Sequence, residues 1–319
     1  MALLFLQRWP TPPHFIELLV HFYPQGIVLW ASLALIFVMG CFFIPVFKVA
    51  KLAGRWQNLS FFLLLLALLL PLQPYMRPAF GTDPGPAAGP ALRIVLANVL
   101  FTNSDTEAFA LWLHQQQADV VVIEELNRSY EALMQGQQSY PYHRVVYTGD
   151  PFGIGVWSRI PFVAEDTVRV GPAHLPSLYL QFQTPRPFHL VATHPYPPIS
   201  GAYFRDRNAQ YEALAAFLAD KQGVKVVVGD LNITPWSGYY QQWTQKLGIH
   251  NSREGQGLLP SWPVHWPALL RIPIDDVLIS DGIENASGGQ GISAETTLGP
   301  EIGSDHLPVH VVLGWPLPP

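Results

Sequence analysis

Six places in this chain carry side chains suited to metal and proton chemistry, and each lies at the edge of a strand-like run. Asn98 follows Leu92–Ala97, Glu124 and Glu125 follow Val120–Ile123, and His194 follows Phe188–Thr193. Asp230 and Asn232 close the run Val226–Val227–Val228–Gly229, Asp275 opens a run ending at Ile279, and Asp305–His306 precede Val309–Leu313. Carboxylates and carboxamides favour a hard, oxygen-seeking cation such as Mg²⁺, and histidine carries protons near neutral pH. Mg²⁺ takes one or two protein carboxylates and leaves room for substrate phosphate, whose oxygen it can polarise. In extended backbone, residues i and i+2 share a face, so Asp230 and Asn232 are presented together. Taken alone, that pair also fits a strand ending in an Asx-type turn.

Other chemistries lack their motifs. The single cysteine, Cys41, sits in an apolar stretch, so an intrachain disulfide and a cysteine-based metal site are both excluded. A zinc hydrolase of the H-E-x-x-H type and a serine hydrolase of the G-x-S-x-G type each lack their signature sequence.

The elements that must position these residues alternate between the two secondary-structure periods. Further strands are expected at Gly153–Trp157, Val163–Val170 and Leu178–Phe182, and helices at Asp105–Gln117, Arg205–Asp220 and Ser237–Leu247. Tyr211, Leu214, Ala215 and Leu218 make one apolar face of the second helix. Pro195, Pro197 and Pro198 force a loop after His194, and 251–266 reads as irregular. Trp157, Trp243 and Trp266 are expected in the core, and His265 and Asp281 at the surface. Successive strand residues face opposite ways, so Asp276, next to Asp275, need not share its side; on the same side it would add negative charge there.

Composition divides the chain. Its 319 residues are 49% hydrophobic and only 13% charged, against roughly 25% charged in average soluble proteins. Residues 91–319 hold 13 Lys/Arg and 21 Asp/Glu, a formal −8, whereas residues 1–90 hold 5 and 2, a formal +3. The acidic part is a poor electrostatic match to duplex DNA. Gly26–Phe47 has no charge over 22 residues, long enough to cross a hydrocarbon core of about 30 Å. Lys48, Lys51 and Arg55 follow, then a second uncharged stretch over Trp56–Leu72. A transmembrane helical hairpin with a cytoplasmic basic tip is expected, which puts the rest of the chain on the outer side of the cytoplasmic membrane. The lipid bilayer is thus an expected partner. Residues 1–25, with Glu17 and His21 among apolar neighbours, read as an interfacial segment, and 73–90 as a Pro/Gly-rich linker.

From about residue 92 to 314 the chain resembles the endonuclease/exonuclease/phosphatase superfamily, in particular its bacterial membrane-anchored members. The resemblance rests on Ala97–Asn98–Val99, Ile123–Glu124–Glu125, Thr193–His194, Gly229–Asp230–Leu231–Asn232, Pro273–Ile274–Asp275 and Gly303–Ser304–Asp305–His306, in that order. Ser261–Trp262–Pro263 and Arg207–Asn208 with Gln210 add to it. It implies an α/β fold, a four-layer sandwich of two mixed β-sheets flanked by helices, over 91–319. It also implies Mg²⁺- or Mn²⁺-dependent hydrolysis of a phosphate ester by in-line water attack, with a phospholipid headgroup, a small phosphoester or nucleic acid as substrate.

By the same resemblance Glu125, Asn98 and Asp305 belong to the metal region, Asp230 to the attacking water, and Asn232 to the phosphate. His306, oriented by Asp275, would stabilise charge on the phosphorus centre, and His194 would be a second flanking histidine. Arg207 and Asn208 would bind substrate phosphate. Two positions depart from the family pattern: Glu124 stands where Gln is usual, and Asp276 where His is common. A membrane-tethered phosphate- or phospholipid-binding module with weakened catalysis is the alternative.

Overall fold

Along Ala91–Asn98 (β1), Leu92, Ile94 and Leu96 face one apolar cluster while Val95 and Ala97 face another, as a strand buried on both sides requires. The same division runs through Val120–Glu124 (β2) and, further on, Val224–Asp230 (β8). The chain is seen in a computed structural model that describes residues 12–43, 69–76, 91–184, 187–280 and 292–314. One sheet comprises β1, β2, β3 (Tyr142–Val146), β4 (Ile154–Ser158), β11 (Ser293–Leu298) and β12 (Val309–Gly314), in the order β11-β12-β1-β2-β4-β3. The other comprises β5 (Phe162–Val168), β6 (Ser177–Phe182), β7 (Phe188–Thr193), β8, β9 (His250–Asn251) and β10 (Asp275–Ile279), in the order β5-β6-β7-β8-β10-β9. Each is mixed: β1 with β2 and β7 with β8 are parallel, and the other pairs are antiparallel.

The largest apolar cluster fills the space between the sheets with residues such as Ile94, Val122, Leu190, Val226, Val277 and Val311. Helices α3 (Glu107–Gln116) and α4 (Arg128–Gln135) cover the outer face of the first sheet through Phe109, Leu113, Tyr130 and Met134. Helices α5 (Gly201–Ala219) and α6 (Gly238–Leu247) cover the second through Tyr211, Leu214, Leu218 and Trp243. Asn127, Ser200 and Ser237 cap α4, α5 and α6 with side-chain oxygens, each accepting from a first-turn amide. The expected sandwich is present. Burying one Val, Leu or Ile contributes roughly 1.5–3 kcal/mol, so a one-residue slip of β8 would cost several such terms at once. That pins the register, and with it the direction of Asp230.

The N-terminal part differs from its expected form. Helix α1 (His14–His21) and helix α2 (Tyr23–Phe43) meet at an elbow of 70° over the stretch to Ala34. Val20, Tyr23 and Ile27 pack on Trp236 of the sandwich domain. Glu17 and His21, read as interfacial, are buried against that domain. Residues Leu70–Tyr75, read as the end of a span and the start of a linker, form a 3₁₀ helix whose Pro74 and Tyr75 carbonyls accept from Gly255 and Gly257 at 2.7 and 2.8 Å. Among the described residues no single helix is long and apolar enough to cross a membrane, though the bent α1–α2 pair is so by length and composition. The basic tip, most of the second uncharged stretch, most of the linker and Asp281 lie outside the described residues.

Candidate active site

The parity of the strands builds the site. Asn98 continues Ile94 and Leu96, Glu124 continues Val120 and Val122, Asp230 continues Val226 and Val228, and Asp275 precedes Val277 and Ile279. All four therefore point into the space between the sheets, at one end of the inter-sheet core. Register adds to this, since Asn98 pairs with Glu124 and Asp230 with Asp275. Asp276 has the opposite parity, with Leu278, and its carboxylate lies 2.9 Å from Arg253 Nη2 on the outer side. Asp276 thus does not share the side of Asp275, and the family-pattern departure there falls outside the site.

Asp230 is the centre. Its Oδ2 lies 3.6 Å from both His194 Nε2 and His306 Nε2 and accepts from Asn98 Nδ2 at 3.2 Å. Behind His306, Nδ1 meets the Asp275 carboxylate at 3.0 Å, and Ser261 Oγ donates to the same Asp275 oxygen at 2.5 Å. Ser304 Oγ donates to the Asn98 carbonyl at 2.8 Å, which ties the Asp305–His306 loop to the end of β1. Asn232 donates its amide to Asp230 Oδ1 and its side-chain Nδ2 to the Pro195 carbonyl, both at 3.0 Å. Its side chain thus ties the end of β8 to the His194 loop. Glu125 and Asn232 both have left-handed backbone, φ 53° and 51°. Such conformations cost energy in non-glycine residues and gather at functional sites.

Electrostatics separate the two histidines. Burial pulls His306 down, but the Asp275 and Asp230 carboxylates outweigh it and push it up to about 10, so it is a cation at neutral pH. Burial and the positive His306 hold His194 down at about 4, so it is neutral. Burial pushes Asp230 up to about 8, with His306 opposing and Asp275 adding to the shift. Asp275 stays below the usual range because His306 overcomes the effect of burial. Neighbouring carboxyls whose environments push them apart are a signature of acid–base sites.

Oxygen donors for a cation are also in place. Glu125 Oε1 accepts from Asn98 Nδ2 at 3.2 Å and its Oε2 from the Phe101 amide at 2.8 Å. Asp305 accepts from Trp262 Nε1 at 2.9 Å through Oδ2, while its buried Oδ1 has no hydrogen-bond partner. Asp230, Asp275 and His306 also bring one ligand atom each within 4.8 Å of one another. In that trio His306 Nδ1 is committed to Asp275; Glu125, hydrogen-bonded to Asn98, and Asp305, with its unpartnered Oδ1, are further carboxylates at these strand ends. Carboxylate oxygens, one of them orphaned, suit a hard divalent ion.

Two expected site residues stand elsewhere. Arg207 is fully buried, and its guanidinium donates to Asn208 Oδ1, the Asn232 carbonyl and Glu17 Oε1 at 3.0, 2.8 and 3.0 Å. It supports the site from behind and does not reach a phosphate, because all three of its nitrogens are engaged. Asn208 accepts from it and is likewise a supporting residue. Trp157 and Trp243 are core residues as expected, but Trp266 is 41% exposed on the Pro263–Pro267 loop, its ring 6.3 Å from Phe22. His265 is exposed. Sequence reasoning missed Arg253, a lone cation in an irregular stretch, and Glu17, whose apolar neighbours suggest a surface of contact rather than a buried charge.

No curated protein matches the chain. Among solved structures, D. rerio TDP2 complexed with single-strand DNA product is similar at 16% identity, covering 70% of this chain and 98% of that one, with a TM-score of 0.57. SmcL is similar at 17% identity over 73% of this chain and 100% of that one, with a TM-score of 0.52. An endonuclease/exonuclease/phosphatase from Beutenbergia cavernae matches at 19% identity over 70% and 72%, with a TM-score of 0.53. At such identities these structures establish the fold. The model of the Endonuclease/Exonuclease/phosphatase family matches residues 95–306, well over half of the chain and the whole of the site from Asn98 to His306. The chain therefore belongs to the Endonuclease/Exonuclease/phosphatase family, whose members are metal-dependent phosphoester hydrolases.

Proposed function

We propose that this protein is a membrane-anchored, Mg²⁺-dependent phosphoesterase that hydrolyses a phospholipid headgroup or other small phosphoester at the outer face of the cytoplasmic membrane. The observation that carries the chemistry is Asp230 Oδ2, set 3.6 Å from a neutral histidine on one side and a cationic one on the other. Asp230 takes the proton of the attacking water, its raised affinity for protons making it a competent base near neutral pH. His306 donates to the phosphoryl oxygen where charge grows, and Asp275 keeps it protonated and oriented. Glu125, Asn98 and Asp305 would hold the divalent ion, which when bound supplies Lewis-acid polarisation of the phosphoryl oxygen. His194 flanks the phosphate from the other side.

Membrane attachment is supported by the 22 uncharged residues of Gly26–Phe47 and by the outer surface of the elbow, where Phe15, Leu19, Leu29, Leu33 and Ile36 are exposed. The formal −8 of residues 91–319 argues for a small or lipid phosphoester over duplex DNA. The test uses full-length protein in detergent or vesicles. It should hydrolyse bis-p-nitrophenyl phosphate only with Mg²⁺ or Mn²⁺, and phospholipid should outcompete duplex DNA in a parallel screen. Metal-independent turnover would refute the chemistry, and a strong preference for DNA would refute the substrate class. A reporter fused after Pro319 should be active outside the cytoplasm.

A further inference from the structure

Helix α1 reads His14-Phe-Ile-Glu-Leu-Leu-Val-His21, and its one acid, Glu17, is the most deeply placed residue of the segment, with no exposed surface. A carboxylate does not enter a protein interior without partners. Glu17 Oε1 accepts from Arg207 Nη2 at 3.0 Å and from Ser237 Oγ, the cap of α6, at 2.8 Å. The same helix is fastened on either side. His21 Nδ1 lies 3.1 Å from Thr234 Oγ1, and Trp236 Nε1 donates to the His21 carbonyl at 3.0 Å. Every one of these partners on the catalytic domain lies within 234–237 or on α5, immediately behind Asp230–Asn232.

Arg207 needs Glu17 as much as Glu17 needs Arg207. It too is fully buried, and among the described residues its only ion pair is with Glu17. Its other long arm donates to the Asn232 carbonyl at 2.8 Å. Asn232 has a left-handed backbone that must be held by its surroundings. From there the bonds divide, the amide to Asp230 Oδ1 and the side chain to the Pro195 carbonyl beside His194. A continuous path of short bonds therefore runs from the N-terminal helix, 190 residues away in sequence from Arg207, to both sides of the reacting centre.

We propose that Glu17 is a positioning residue for the active site: by neutralising Arg207 from the N-terminal helix it fixes Asn232, and through Asn232 it sets the places of Asp230 and His194. Helix α1 then acts on the site through this one side chain, while its apolar residues serve only to pack it. The reaction being positioned is the phosphoester hydrolysis proposed above, and the inference rests on that reading only for its kinetic test. A pair buried this deeply leaves an uncompensated charge when one partner is neutralised, and Arg207 would then turn from Asn232 towards any remaining acceptor.

The test compares three variants of the full chain in detergent. Glu17→Gln removes the charge and keeps the shape. Val20→Ala loosens the same helix through its apolar face without touching Arg207. Arg207→Lys keeps a charge beside Glu17 but lacks the planar fork that holds Glu17 and the Asn232 carbonyl on separate nitrogens, and it carries the test if Glu17→Gln does not fold. At temperatures where all are folded, Glu17→Gln and Arg207→Lys should lower kcat at least ~10-fold with KM little changed, as misplacement of reacting groups does. Val20→Ala, at an equal loss of Tm, should keep the wild-type kcat. Independently of activity, the His306 ring resonances, assigned by their loss in His306→Gln, should move in Glu17→Gln and not in Val20→Ala. Equal kcat and unmoved resonances in the folded charge variants would overturn the proposal. If the wild-type protein hydrolyses no phosphoester yet the His306 resonances move, the positioning stands and the proposed activity falls.

Discussion

His306 Nδ1 stands 3.0 Å from Asp275 Oδ2, while the far side of the same ring faces Asp230. One carboxylate thereby fixes the ring and keeps it charged, and the other stands 3.6 Å from its outer nitrogen. Asp275→Asn keeps the shape and removes the charge. The ring then loses its main reason to stay protonated, so kcat should fall by at least ~10²-fold, the scale of a lost acid–base or electrostatic contribution. The alkaline limb of the pH–rate profile should move to lower pH in this variant. A profile unchanged in position would remove Asp275 from its orienting role.

The pH dependence of the wild-type enzyme has a sign that follows from Asp230 and His306. Asp230 must lose its proton to act as a base, and burial holds it at about 8, so the rate rises with pH on the acid side. His306 must keep its proton, and its neighbours hold it at about 10, so the rate falls on the alkaline side. The profile should be a bell with an alkaline optimum. A bound cation favours ionised Asp230, so raising Mg²⁺ from limiting to saturating should shift the acid limb to lower pH. An acid limb that ignores Mg²⁺ would separate Asp230 from the metal region.

Glu125 offers both oxygens at the end of β2, and Asp305 has an oxygen without a partner. Glu125→Gln should raise the Mg²⁺ concentration for half-maximal rate by ~10–100-fold or more, the range for altered metal surroundings. Chelation should abolish activity and lower Tm in the wild type, since a ligand that binds only the folded state stabilises it. In Glu125→Gln the Tm response to Mg²⁺ should be shifted by the same factor.

Much of this site is legible in the sequence because strand ends are. Asn98, Glu124, Asp230 and Asp275 end or begin apolar runs, so their place at strand ends can be read and Asp275 and Asp276 must point apart. These runs are apolar on both faces, however, and only the packing settles which face each residue enters. What else escapes is of two kinds. Strands β3 and β11 lie at a sheet edge, with polar or half-exposed residues such as His143, Arg144, Glu295 and Thr297, so no alternation marks them. Partnerships across large sequence separations leave no local trace either. Arg207 reads as a phosphate ligand until Glu17 is brought to it, Arg253 carries no signal until Asp276 is, and the polar residues of α1 suggest an interface until Trp236 covers them.

Asp276 gives a clean contrast to Asp275, one residue away. It is buried on the outer face, where burial pushes its carboxyl up and Arg253 opposes that. Asp276→Asn leaves Arg253 buried without a counter-ion, a change that costs about 3–5 kcal/mol in comparable pairs. Chemical denaturation should show that loss, while kcat of the folded variant should stay within a few-fold of wild type. A collapse of kcat with unchanged stability would place Asp276 in the active site after all.

Glu124 is the acid with the least room. Its Oε2 accepts from the Asp230 amide at 2.6 Å, and its Oε1 is buried with no hydrogen-bond partner. Gly229 explains how it fits. A Cβ there would lie 2.7 Å from Glu124 Oε1 and 2.0 Å from the Thr193 carbonyl oxygen, so only glycine lets β7, β8 and this carboxyl meet. Burial, reinforced by the Asp230 charge, pushes Glu124 well above the usual carboxylate range. Its uncharged form is thereby favoured, and a glutamine has its shape and can accept the same amide. Glu124→Gln should keep the fold and hold kcat within ~3-fold, because the shape and the hydrogen bond to the Asp230 amide are kept. Glu124→Ala leaves the Asp230 amide buried without an acceptor and should cost ~1–3 kcal/mol in stability. It should also lower kcat as Asp230 loses its anchor. Gly229→Ala should not yield folded protein. If Glu124→Gln instead abolishes turnover while leaving Tm unchanged, the carboxyl is ionised in the working enzyme and takes part in binding the metal or moving the proton.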